Sequence, residues 1–197
     1  MTTSRIRKVL EDNIKPRTII AVDASTNSLA FSYFTDGKLV KYGKIKFNGT
    51  DALYKAGDAC KKSIQLFKMV NADALVVESA IYSNSPKTAM QLSLVQGAIL
   101  GAAQVAGIKN IKTITPMQWQ NYVGTKLLSV SEKQEIVRKN PGKSKSWYKG
   151  KERETRKQKT MDSVNKNFKV KITDDDVADA IGVGWYVSDK WNVIYNA

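Results

Sequence analysis

Histidine is absent from the 197 residues of this chain, and cysteine occurs once, at Cys60. Without imidazole, Ser-His-Asp and Cys-His catalysis, histidine-ligated zinc and imidazole acid–base chemistry are all excluded. A lone thiol excludes an intrachain disulfide and any multi-cysteine zinc site. Long apolar runs are missing as well, since none approaches the ~20 residues of a membrane-spanning helix. Residues 1–17 lack the apolar core of a secretory signal, which predicts a cytoplasmic protein. Acid is scarce relative to base: 18 Asp+Glu stand against 32 Lys+Arg, for a formal net charge of +14. An enzyme made from this set must work with carboxylates, lysines, hydroxyls or a metal held by oxygen. The 42% hydrophobic and 25% charged content is that of a globular chain, and its length suits one domain.

The positive charge is concentrated. Residues 124–171 hold 15 Lys+Arg and 5 Asp+Glu, a net of +10. Within them, Lys143, Lys145, Lys149, Lys151, Arg153, Arg156, Lys157 and Lys159 surround the aromatic pair Trp147 and Tyr148. Cations neutralise phosphates and aromatic faces stack on bases, so the segment reads as a nucleic-acid contact rather than a merely solvated loop. An anionic membrane surface fits less well, because the segment shows no apolar helical face.

Residues 18–25 (TIIAVDAS), 29–35 and 38–47 read as three strands, the last two joined by a tight Asp36-Gly37 turn, giving an antiparallel meander. Residues 49–70 carry helical spacing, 74–77 a short buried strand ending at Glu78, and 87–106 a helix rich in small residues. A fifth strand over 108–114, a short helix opening at Thr115-Pro116 and a helix over 175–187 complete the order. The order predicts an α/β domain: a mixed five-stranded sheet flanked by helices, over 18–190, preceded by an extension over 1–17.

Asp23 and Glu78 fall at the C-terminal ends of what should be adjacent central strands, where α/β folds gather ligands. Asp176 and Asp179 are three apart and share one face of the last helix. Asp174 and Asp175 suit a helix cap and its first turn. Asp179, a turn further in and flanked by alanines, does not, and burying it requires a cation or a metal. Four converging carboxylates would form an all-oxygen pocket suited to Mg2+, with Mn2+ as a substitute. Two such ions about 4 Å apart can clamp the attacking water and leaving oxygen of a phosphodiester.

In chain order, IIAVDAS (19–25), VVESA (76–80) with the following AMQLSLVQGAILGAA (89–103), and DVADAIGVG (176–184) resemble the motifs of RuvC-type Holliday junction resolvases. These are ribonuclease H-like two-metal nucleases. The resemblance spans roughly residues 18–187 and implies a ribonuclease H-like fold with Asp23, Glu78, Asp176 and Asp179 as metal ligands, Asp23 bridging the ions. It implies Lys159 as the basic residue near the scissile phosphate, and Ile81, or Tyr82 beside it, as the wedge at the junction. It also implies a homodimer on a four-way DNA junction, nicking two strands of like polarity, with no small-molecule cofactor. The helix after the second acid would form the interface, where Ala98, Gly101 and Ala102 permit close approach; packing on the sheet explains them equally. Against the bacterial pattern stand the extension over 1–17, a basic insertion over about 140–154, and a fourth acid that is aspartate with no histidine nearby. Compact, insertion-bearing members occur in bacteriophages, which implies a phage origin and the host cytoplasm. A relaxed flap or branched-DNA nuclease, an RNA-processing nuclease of the same fold, and a non-catalytic junction-binding protein stand as alternatives. An actin-like kinase fits poorly, because it needs a second phosphate loop and a longer chain.

Overall fold

The computed structural model describes residues 16–79, 85–125 and 127–195. Five strands, β1 (Thr18–Ala24), β2 (Ser28–Thr35), β3 (Lys38–Lys46), β4 (Ala74–Glu78) and β5 (Asn110–Ile114), form one sheet in the order β3-β2-β1-β4-β5. The first three make the expected antiparallel meander, and β1-β4-β5 run parallel. Asp36 and Gly37, at φ 49° and 77°, make the tight turn between β2 and β3.

Strand alternation sorts the core into two layers. Ile20, Val22, Leu75 and Val77 face helices α1 (Ala52–Val70) and α2 (Pro86–Val105) and pack with Ala59, Phe67, Val95 and Ile99. Helix α1 starts where the Asp51 carboxylate accepts the Leu53 and Tyr54 amides, and it ends at Asn71, whose φ of 46° breaks the helix. On the opposite face, Ile19, Ala21, Ala74 and Val76 meet Trp119 of the short α3 (Pro116–Tyr122) and Val183, Val187 and Trp191 of α6 (Asp175–Tyr195). Asp23 and Glu78, two residues on from Ala21 and Val76, therefore stand on the face that α6 covers. Burial of each large core side chain contributes about 1.5–3 kcal/mol.

The basic region, to which the sequence assigns no element, is helical. Residues 124–171 hold two further helices, α4 (Val130–Lys139) and α5 (Lys145–Phe168). Helix α5 begins at Ser144, whose hydroxyl accepts the Trp147 amide, and only its second half carries an apolar stripe. There Val164 is buried, and the Phe168 ring meets Phe34 and Trp185 edge-on. The part up to Lys159 forms a hairpin with α4, held by Lys159–Glu132 and Lys133–Glu152 ion pairs. Helix α6 also runs further than expected, to Tyr195, bending at Lys190. Trp191 is buried beneath it, and Trp185 packs edge-on against Tyr122. Among the described residues no helix is long and apolar enough to cross a membrane.

Helix α6 lies unusually deep on the sheet. A Cβ added at Gly184 would stand 2.4 Å from the Phe34 ring and 2.6 Å from the Ser32 hydroxyl, and one at Gly182 would stand 2.6 Å from Trp119. The buried Ser32 hydroxyl donates to the Ala180 carbonyl at 2.7 Å, fixing the depth with a hydrogen bond. Gly184→Ala is expected to destabilise the protein by about 1–3 kcal/mol through overpacking. Gly57→Ala, on the open face of α1, should instead gain about 0.5–1 kcal/mol. Urea unfolding of both variants checks the pair, and a neutral Gly184→Ala would show that α6 has room to lift.

Candidate metal centre and its basic rim

Asp23 is the penultimate residue of β1 and Glu78 ends the parallel neighbour β4, one register step beyond the Val22–Val77 pair. Helix α6 crosses above them and lowers Asp176 and Asp179 into the same cleft, a cavity of about 480 Å³. The α6 start is set by Asp174, whose Oδ1 accepts the Asp176 and Val177 amides at 3.1 and 3.2 Å. Capping thus accounts for Asp174, as its position in the sequence suggests. Gln96 of α2 donates to the Glu78 carbonyl at 3.1 Å and ties down the end of β4.

The four acids share one electrostatic environment. Burial, and then the charge of Asp176, raise the Asp23 carboxyl to about 6. Burial, followed by Asp23 and Asp179, pushes Glu78 up to about 8. Burial and then Asp23 raise Asp179 to about 7. The buried Trp119 indole N–H lies near enough to favour ionised Glu78 without reaching hydrogen-bond geometry. Among the described residues no cation touches Asp23, Glu78 or Asp179. Half-buried carboxylates crowded together with no cation in contact suit a hard divalent cation, so the donor set fits Mg2+ or Mn2+. Asp174, Asp175 and Asp176 also bring carboxylate oxygens within 4.8 Å of one another. Each member of that trio already has a lysine partner, Lys44 reaching Asp174 at 3.0 Å and Asp176 at 2.6 Å and Lys157 pairing with Asp175, whereas Asp23, Glu78 and Asp179 have none among the described residues. The inner four are the better ion site.

Helix α5 supplies the basic rim. Arg153, Arg156 and Lys157 line the cleft beside Thr160. Lys157 comes within 3.5 Å of Asp176. Lys159 is placed elsewhere: it turns to Glu132 of α4 and does not line the cleft. Residues two apart on a helix face different directions, so Lys157, not Lys159, is the lysine at the acids. The remaining basic residues lie outward. Lys151 pairs with Glu154 at 2.8 Å, Lys143 sits 5.8 Å from the centre of the Trp147 ring, and Lys145 and Lys149 are exposed. Trp147 is open to solvent, whereas Tyr148 is half-buried and donates to the Asn140 carbonyl at 2.6 Å, locking the α4–α5 turn. Ile81 and Tyr82 lie outside the described residues, as does most of the 1–17 extension. Sequence reasoning passed over Lys44, Trp119 and Gln120, and only the Pro116 helix start after β5 hinted at the last two.

A raised carboxyl pKa favours the folded state fully below the ordinary carboxyl range, and that benefit is lost as pH climbs through the raised value. The metal-free protein should therefore lose stability between about pH 4 and pH 8, by a few kcal/mol in order of magnitude. Asp179→Asn should raise the unfolding midpoint at pH 8 and leave it nearly unchanged at about pH 3.5, below the ordinary carboxyl range. Thermal melts in EDTA across these pH values check both, and a flat profile would mean the acids are well solvated.

No protein-family model matches the sequence, and no curated protein matches it. Solved structures do. RuvC of Thermus thermophilus in complex with a Holliday junction substrate superposes with a TM-score of 0.65 at 14% identity, covering 89% of this chain and 96% of that one. A second Thermus thermophilus RuvC structure gives 0.60 at 14% identity over the same shares. The yeast mitochondrial Holliday junction resolvase Ydc2 gives 0.49 at 13% identity, covering 98% of this chain and 86% of that one. The β3-β2-β1-β4-β5 sheet with its flanking helices is the RuvC-like, ribonuclease H-like fold.

Proposed function

We propose that this chain is a metal-dependent endonuclease that cleaves branched DNA, with the four-way Holliday junction as its principal substrate. The observation that carries the reading is the meeting of Asp23, Glu78, Asp176 and Asp179 in one cleft rimmed by Arg153, Arg156 and Lys157. Asp23, Glu78 and Asp179, which pair with no cation among the described residues, lie inside beside the lysine-paired Asp176, and cations suited to a phosphate backbone lie at the mouth. The RuvC fold, and the junction substrate bound by one RuvC of that fold, support the choice of substrate.

The four acids would hold two Mg2+ ions, with Asp23 placed centrally between Glu78 and the α6 pair. Bound there, such ions supply an activated water and stabilise the departing 3′ oxygen. The chain does the rest. The sheet and α6 fix the carboxylates in place before any ligand arrives, which lowers the reorganisation needed during reaction. Lys157 stands beside Asp176 and would offset charge on the phosphate. Arg153 and Arg156 would hold the backbone bidentately, and the outer Lys143, Lys145, Lys149 and Lys151 would extend the track along one DNA arm. Exposed Trp147 is free to stack on an unpaired base.

A homodimer gives a junction with two-fold symmetry two equivalent cuts. Met90, Leu94, Gly97, Gly101 and Val105 make an exposed stripe along α2, at helical spacing, with open space over both glycines. Glycine inside a helix costs about 0.5–1 kcal/mol, and close approach of a second α2 gives these two a purpose. Ala102 is buried in the core, so of the small residues named from sequence Gly101 best suits that interface.

Asp23→Asn should abolish cleavage, a loss of at least about a thousandfold given what a metal ligand contributes to the barrier. Its affinity for a labelled junction should stay within about threefold, because the rim, not the acids, binds the backbone. Gel-shift and cleavage assays on the same preparation separate the two. Loss of binding together with cleavage would assign Asp23 to the fold instead.

A further inference from the structure

Lys44 belongs to the outer strand β3, yet its ammonium lies 2.6 Å from Asp176 Oδ2 and 3.0 Å from Asp174 Oδ2. Strand pairing explains the reach. Lys44 pairs with Ala30 of β2, and Ala30 pairs with Asp23 of β1. Directly paired residues share a sheet face, so Lys44, Ala30 and Asp23 form one row, with Glu78 next along it. Ala30, whose side chain is a single methyl, lies between Lys44 and Asp23 in that row. Two lysines thus approach Asp176 from different elements and on different oxygens: Lys44 takes Oδ2 at 2.6 Å, while Lys157 stays 3.5 Å from Oδ1. The first is a full contact and the second a loose one.

Resting on the metal-centre reading above, we infer that Lys44 is a positioning residue for Asp176, a resident counter-ion that keeps Oδ2 and leaves only Oδ1 for a metal ion. It holds Asp176 in place when no metal is bound, and it limits that carboxylate to one-oxygen ligation. Its positive charge, a few ångströms from the ion, also opposes metal binding. The free protein therefore holds its Asp176-side ion loosely, and DNA phosphate oxygens supply the missing negative charge. A cap anchor for α6 that did nothing else would affect stability alone.

The test is Mn2+ titration of the full-length, metal-free and DNA-free protein, followed by electron paramagnetic resonance. Lys44→Met should tighten Mn2+ binding by about tenfold, the order expected for removing a unit charge beside a partly exposed divalent site. Lys44→Arg, which keeps the charge, should stay within about threefold of the parent protein. Lys44→Gln serves if the Met variant does not fold, and melting curves establish that each variant is folded. Unchanged or weaker Mn2+ binding in a folded Lys44→Met or Lys44→Gln variant would overturn the inference while leaving the metal centre intact. Failure of the parent protein to bind Mn2+ at all would instead remove the metal reading, and the role of Lys44 with it.

Discussion

Helix α6 meets the sheet with no side chain at Gly184 to hold it off the Phe34 ring, and a buried hydrogen bond from Ser32 to the Ala180 carbonyl locks it there. That depth of contact decides where Asp179 stands, one helical turn before Gly182. A shallower helix would leave Asp176 and Asp179 in water, where carboxylates are cheap and uninformative. Seated this low, they share a half-buried cleft with Asp23 and Glu78, where burial and mutual repulsion raise the Asp23, Glu78 and Asp179 carboxyls. The fold thus stores repulsion at one point, and tight packing elsewhere has to offset it. Raised carboxyl pKa values and the lysines gathered around Asp176 are two consequences of this one constraint.

The same constraint divides the basic residues into two populations. Lys44, Lys157, Arg153 and Arg156 face the acids or the mouth of their cleft, and lower the cost of the cluster. Lys143, Lys145, Lys149 and Lys151 decorate the α4–α5 hairpin, which adds no buried apolar residue of its own along α4. Ion pairs and the Tyr148 hydroxyl give that hairpin its shape. Such an arm is free to carry charge outward because the core does not depend on it.

Much of the site was legible because strand alternation and helix phase are short-range patterns. An apolar β-branched run ending in Asp23, a second ending in Glu78, and an aspartate too deep in a helix to cap it were enough to place the acids. The hairpin was not legible. Its first half is polar on every side, so no apolar period marks it as helix, and the stripe of Met161, Val164 and Phe168 comes only at its end. Lys159 was chosen by position along the chain, whereas helical phase turns Lys157 inward and Lys159 toward Glu132. Lys44 is one of four lysines in KLVKYGKIK, and only the cross-strand register through Ala30 to Asp23 distinguishes it. Tyr148 looked like a stacking residue because aromatics beside lysines suit nucleic acid. The turn after Asn140 needed a hydrogen-bond donor, and the tyrosine serves that turn.

The central claim is that this cleft cuts branched DNA with metal held by four acids. Its most direct test is cleavage of an end-labelled immobile four-way junction, beside a flap, a splayed arm and a linear duplex, in Mg2+ or Mn2+ and in EDTA. The account predicts paired nicks at symmetric positions on the junction, little cutting of the other three, and none in EDTA. Equal cutting of flap and splayed arm would contradict the junction as principal substrate, and absence of cutting on every DNA would contradict the nuclease reading itself.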